Sequence, residues 1–227
     1  MPATLLVAVD DLAWQQLLPA MTAGDAPNLL DLARRGSAVR LAPGSYPSAT
    51  AMWGMMSSGR LQPDPGSPDL WRILEVAGHS TGLAGWSDAG ATGPVWATAK
   101  EIIAADHPRF LAVRRRLAED ESDPAQRASG LVSIDAGIGH LRALMPPETD
   151  VIVVSGQLLI AAGPSFRAPK PPFSPPDDAQ HLPLAGTQEG PGILHILPSL
   201  LHLRHLPLPT SLEGAVLDEL LVDGSSS

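Results

Sequence analysis

The sequence predicts a single compact α/β domain with a mostly parallel central sheet flanked by helices, and three observations carry that prediction. Thr4 to Val9 is an unbroken, β-prone apolar run ending in Asp10-Asp11, the pattern of a strand buried on both faces that delivers a carboxylate at its C-terminal end. A second run of this kind, Asp150 to Val154, recurs late in the chain. Between them, helical and strand patterns alternate, as in sheets built by crossover connections. The chain has 227 residues and 44% hydrophobic content, enough for one substantial core. The domain is read as residues 1–222, followed by a polar tail at 223–227.

Each element follows from local pattern. Leu12 to Met21 and Pro27 to Arg35 read as helices, the second with Pro in its first turn and Gly36 as its stop. Ser37 to Ala42 reads as a strand. The turn-rich loop Pro43 to Ser48 leads into an apolar helix, Thr50 to Ser58, closed by Gly59, with Ser48 or Thr50 placed to cap it. Asp69 to Ala77 reads as a helix, Thr81 to Trp86 as a strand and Ser87 to Gly93 as a Gly-rich turn. Val95 to Leu117 reads as helix interrupted at Pro108, which makes Arg114 to Arg116 a solvated helical face. Pro124 to Leu144 is a long helix, and Leu158 to Ala162 is a strand after the turn Ser155-Gly156-Gln157. The prolines between Pro164 and Pro183 predict an extended loop. Ile193 to His205 and Gly214 to Leu221 read as closing helices.

Composition narrows the function classes. Fifteen basic against 24 acidic side chains give a formal charge of −9, which disfavours nucleic acid and anionic membranes as partners. The absence of cysteine rules out disulfides and thiolate metal sites, so metal chemistry falls to Asp, Glu and His. The N-terminal apolar run is far shorter than the roughly 20 residues needed to span a bilayer, and a cytoplasmic location is expected.

A carboxylate at a strand end, as at Asp10, suits a divalent cation, but it equally suits a helix cap or a hydrogen-bonded turn. A hydroxyl at a helix N-terminus, as at Thr50, faces unpaired backbone donors and the positive end of the helix dipole, which favour an incoming phosphate. The same position suits an ordinary cap. His195 and His202 lie seven apart on a predicted helix, and Asp177 and His181 have Asp-x-x-x-His spacing inside the Pro-rich loop. For both pairs the ordinary reading, surface or core residues at chance spacing, is favoured. The five tryptophans of the first half read as core.

The ordered segments VAVDDLAWQQLL, APNLLDLARRG and YPSATAMWGMMSSGR, followed by LWRILEVAGHSTGLAGW and IDAGIGHLRALMPPETDVIVVS, resemble the type I phosphodiesterase and nucleotide pyrophosphatase branch of the alkaline-phosphatase superfamily. That resemblance implies an alkaline-phosphatase-like core. It also implies Asp10 as the first metal ligand and Thr50 as the nucleophile when the alignment is anchored on Tyr46-Pro47. Anchored on Trp53, the alignment puts Ala49 at the nucleophile position instead. Where the family continues after its late strand with Asp-His-Gly, this chain reads Ser155-Gly156-Gln157. The resemblance therefore implies a shortened, degenerate relative that needs no cofactor and binds a small phosphorylated ligand or a protein partner, or serves as a scaffold. The competing expectation is an active phosphoesterase in which Thr50 attacks phosphorus, with Asp10, Asp177, Asp178 and His181 holding zinc, manganese or magnesium. A third is that another subunit completes the site, leaving oligomeric state open.

Overall fold

The computed structural model describes residues 1–64, 66, 68–86, 94–118, 123–186 and 190–222; the predicted turn at Ser87 to Gly93 and the tail at 223–227 lie outside them. Seven strands form one sheet: β1 (Ala3–Asp10), β2 (Ser37–Leu41), β3 (Thr81–Ala84), β4 (Phe110–Arg116), β5 (Thr149–Ser155), β6 (Leu158–Ala162) and β7 (Leu184–Ala185). Their spatial order is β3-β4-β1-β5-β6-β2-β7. The pairings β3·β4, β4·β1, β1·β5 and β2·β7 are parallel, and β6 alone runs against its neighbours β5 and β2. Among the described residues the helices are α1 (Trp14–Ala23), α2 (Pro27–Arg35), α3 (Ala49–Ser58), α4 (Leu70–Val76), α5 (Val95–Asp106), α6 (Pro124–Leu144) and α7 (Ile196–Leu203).

The sheet divides the core in two. Leu5, Val7 and Val9 of β1 face one cluster together with residues of α1, α2 and α6, whereas Leu6 and Ala8 face the other with residues of α3, α4 and α7. This is the period-2 alternation of a strand buried on both sides. Asp10 continues the Leu6–Ala8 parity, so its side chain points to the α3 face.

Two expectations are corrected. The segment Val95 to Leu117 is not one interrupted helix: α5 ends at Asp106, His107 adopts a left-handed conformation (φ 44°), and after Pro108 the chain enters β4. Pro108 thus separates two elements. Phe110 to Val113 are fully buried in the middle of the sheet. Gly214 to Leu221 is not a helix but an irregular strap with a short 3-10 turn at Asp218–Leu220. A Cβ on Gly214 would lie 2.2 Å from the Leu194 carbonyl oxygen, so the strap lies too close to its neighbour for a side chain there. The Pro164–Pro183 segment is a loop, as expected, with one short 3-10 turn at Ala179–His181, and it leads into β7, which pairs with the end of β2.

Helix α2 shows how tertiary contacts supply what local sequence does not. Its N-cap, Ala26, has no capping side chain. The first-turn donors go instead to the buried Asp135 of α6, whose carboxylate accepts from Leu29 N at 2.8 Å, Asn28 N at 3.2 Å and Asn28 Nδ2 at 2.8 Å. Asp135→Ala is expected to destabilise the fold by roughly 2–3 kcal/mol, because it strands buried backbone donors. Denaturant unfolding checks this, and Asp135→Asn, which keeps one acceptor, should lose less.

At the opposite, N-terminal ends of the strands, buried Asp150 accepts from Ser165 N at 3.1 Å and Ser165 Oγ at 2.7 Å. Burial pushes its carboxyl above the ordinary carboxylate value, only partly offset by Ser165 and by the charge of Arg204. A carboxyl whose folded pKa is raised binds its proton more tightly when native, so stability falls as pH rises from about 3.8 through that folded pKa. Asp150→Asn is expected to gain in melting temperature relative to wild type as pH rises through this window, with little pH dependence of the difference outside it.

Candidate functional site

Six of the seven strands end at the same side of the sheet, and there β1, β2 and β5 open on a cleft of about 590 Å³. Crevices at strand C-terminal ends are where open α/β sheets bind ligands. Three segments build the walls. The first is the Asp11–Gln15 stretch after β1, the second is the loop and first turn of α3, and the third is the Ser155-Gly156-Gln157 turn between β5 and β6. Arg40, at the end of β2, and Gln180 close one side.

Asp10, the predicted metal ligand, lies behind this wall and is fully buried. Asp11 has φ 66°, and that left-handed turn puts Asp11 on the cleft wall while Asp10 stays inside. Both oxygens of Asp10 are engaged. Arg114 of β4 donates from Nε to Oδ1 at 3.1 Å and from Nη2 to Oδ2 at 2.9 Å, and Trp53 Nε1 of α3 donates to Oδ1 at 2.6 Å. The strand register explains the fork: Arg114 lies opposite Ala8, on the face that Asp10 shares. Side-chain exposure is 2% for Arg114 and 0% for Asp10, so the pair is shielded from solvent screening. Behind it Trp86 packs against Trp71 with the rings tilted at 59° and centroids 4.5 Å apart, and it meets Trp53 edge-on at 6.2 Å. These tryptophans are core, as expected; Trp14 also reaches the cleft.

Helix α3 begins at Ala49, one residue before the expected start, and is capped by Ser48, whose Oγ accepts from Ala51 N at 3.1 Å. Ala49 lies on the cleft wall, and Thr50, the predicted nucleophile, is exposed outside that wall. Of the two alignments, the one anchored on Trp53 describes which residue faces the cleft. Thr50 and Asp10 are not brought together on this wall.

The polar character of the cleft comes from residues that sequence reasoning passed over. Arg40 donates to Gln180 Oε1 at 3.0 Å, to the Gln180 carbonyl at 3.2 Å and to the Leu182 carbonyl at 3.4 Å. All three acceptors are neutral. The Tyr46 hydroxyl is buried without a hydrogen-bond partner among the described residues, and burial pushes its phenol above the ordinary value, keeping it a neutral donor. Among the described residues the one carboxylate on the wall is Asp11, and no imidazole lies on it.

The remaining candidates lie elsewhere. Asp178 caps the short turn Ala179–His181 by accepting from Gln180 N at 2.9 Å, while Asp177 and His181 are exposed on the Pro-rich loop. His195 is buried and accepts from Ala215 N through Nδ1 at 2.9 Å, a structural tie between α7's entry and the strap. Among the described residues no three His, Asp or Glu side chains converge on a point that suits a metal ion. The donor set at Asp10 is a carboxylate with a guanidinium and an indole N–H already on it, and neither of those groups can ligate a cation. These residues do not fit a divalent metal.

No family model matches the chain, and no curated protein matches it. Solved structures do. A 2-O GAG sulfatase superposes with TM-score 0.71 at 13% identity over 96% of this chain and 73% of its own. A protein in the alkaline phosphatase superfamily from Vibrio parahaemolyticus gives TM-score 0.60 at 12% identity over 99% and 71%. The chain has the alkaline-phosphatase-superfamily fold. Phosphonoacetate hydrolase from Sinorhizobium meliloti 1021 gives TM-score 0.53 at 13% identity over 67% of this chain, which spans only 55% of that structure. The cleft and Asp10 both lie at the C-terminal end of the parallel strands. No described helix is long and apolar enough to cross a membrane.

Arg114 is the main residue that sequence reasoning missed. The available signal was Pro108, which favours a boundary over a kink, followed by the apolar run Phe110 to Val113.

Proposed function

We propose that this chain is a degenerate member of the superfamily, from its type I phosphodiesterase branch, that binds a small phosphorylated or sulfated ligand in the strand-end cleft with metal-dependent ester hydrolysis lost or much weakened. The observation that carries this reading is the make-up of the cleft wall among the described residues: Ala49 stands where α3 meets the cleft, one carboxylate and no imidazole line it, and the Arg40 guanidinium is held by the neutral acceptors Gln180 and Leu182. A tetrahedral oxyanion is well served by such a site. Arg40 supplies fixed positive charge, Tyr46 an unused hydroxyl, and the N-terminal turn of α3 the positive end of its dipole. A hydroxyl nucleophile, by contrast, needs an activating metal or base beside it. The branch assignment is supported by the order of its motifs along the chain. The neighbours named above include a sulfatase, which is why sulfate esters join phosphate esters as candidates.

The test combines binding with turnover. Calorimetry with inorganic phosphate and sulfate is expected to show binding that survives chelator and is weakened at least tenfold by Arg40→Ala. Nitrophenyl phosphate, phosphodiester and sulfate should show no metal-dependent release sensitive to Asp10→Ala or Thr50→Ala. Robust zinc- or manganese-dependent release abolished by both substitutions would overturn this reading in favour of an active hydrolase.

A further inference from the structure

We propose that Arg114 is the built-in cation of the strand-end site: its guanidinium takes the place at Asp10 that a divalent metal would otherwise fill, and Asp10 is kept as half of a permanent internal ion pair. The inference rests on reading the chain as a member of the superfamily fold whose cleft binds without metal. It goes further by naming what replaced the metal's charge.

The geometry supports replacement over coincidence in three ways. The guanidinium approaches as a fork, Nε on Oδ1 and Nη2 on Oδ2, so one side chain covers the carboxylate edge that a bidentate metal would use. Trp53 Nε1 adds a third donor on Oδ1 from a different element, so the carboxylate is anchored from both the sheet and α3. Finally, the pair is almost fully buried, where an ionised carboxylate without a partner is strongly disfavoured and a fixed cation beside it offsets that cost. Arginine supplies that charge without dissociating and without losing its proton.

The consequence is a site whose integrity is indifferent to metal supply. Wild-type protein is expected to melt at the same temperature in chelator as in millimolar zinc, manganese or magnesium, apart from any shift that persists unchanged in Asp10→Asn. Arg114→Ala is expected to melt several degrees lower and to recover part of that loss on adding either guanidinium ion or a divalent metal. That recovery should vanish in Asp10→Asn/Arg114→Ala. Arg114→Lys keeps a charge without the fork and covers the case in which Arg114→Ala does not fold; it is expected to fold and to show no Asp10-dependent metal response.

Three results would overturn the assignment: a metal-induced shift in wild type that Asp10→Asn abolishes, an Arg114→Ala protein that folds and responds to neither guanidinium nor metal, and an Arg114→Lys protein with an Asp10-dependent metal response. Failure here is separable from failure of the cleft reading. Phosphate binding that survives chelator, alongside Asp10-dependent metal binding, removes only the role of Arg114, whereas ester turnover without Asp10-dependent metal binding removes only the binding function of the cleft.

Discussion

Arg114→Met is expected to lower the free energy of unfolding by about 3–5 kcal/mol, the usual cost of removing one partner from a buried ion pair. The reason is asymmetric. Asp10 and Arg114 together are satisfied by the fork and by the Trp53 indole, and their mutual attraction offsets the desolvation of both charges. Removing the guanidinium leaves a carboxylate with 0% side-chain exposure that keeps the Trp53 Nε1 donor but has lost the charge and the two bonds of the fork. Asp10→Leu is expected to cost a similar amount by stranding the guanidinium. The double variant Asp10→Leu/Arg114→Met should lose much less than the two single losses added, since well-packed apolar replacements of buried pairs are often close to neutral. Urea unfolding of the four proteins measures the coupling. A loss below about 1 kcal/mol for Arg114→Met, typical of exposed pairs, would contradict the burial described for this site.

Phe110→Ala is expected to cost about 3–5 kcal/mol, the range for emptying a fully buried aromatic site. Phe110 is 0% exposed, sits in β4 between β3 and β1, and packs against Trp71 with ring centroids 6.0 Å apart. The Arg204 guanidinium lies over the same ring at 5.9 Å. Val76→Ala offers the contrast: Val76 is 74% exposed, and its truncation should change stability by less than about 0.5 kcal/mol. Thermal or chemical unfolding distinguishes the two. A small effect at Phe110 would contradict the central placement of β4.

That placement marks where sequence stopped being a guide. The spans of α2, α6 and β6 coincide with their sequence-based expectations, because each carries its own boundary signals: Pro at the start of α2 and α6, and a bounded apolar run in β6. The strand leading to Asp10 was equally legible. The segment before Glu119 was not, because Leu, Ala and Arg are good helix formers and a triple arginine followed by acids has the pattern of a solvated helical face. Only the neighbours in the sheet decide that Arg114 points inward to Asp10, and those neighbours are distant in sequence. The closing strap failed differently: Leu217, Leu220 and Leu221 have helical spacing, but they fill the α7 side of the core from an irregular segment.

The candidate site shows the same division. That a carboxylate would stand at the end of β1 and a helix N-terminus beside the strand ends was readable from pattern. Which of Ala49 and Thr50 faces the cleft depends on where α3 starts, a one-residue question that Ser48 settles by acting as the cap. Arg40 gave no signal of its own, since an arginine near a strand end is unremarkable until its neutral partners, Gln180 and Leu182, are brought to it from the Pro-rich loop.

The most direct measurement of the central claim is calorimetric titration of the purified, chelator-treated chain with zinc, manganese and magnesium, wild type beside Asp10→Asn. The account predicts no stoichiometric binding that distinguishes the two proteins, because the Asp10 carboxylate already holds Arg114 and Trp53. One equivalent of metal bound by wild type and lost in Asp10→Asn would contradict it, and would return the cleft to metal-dependent ester chemistry.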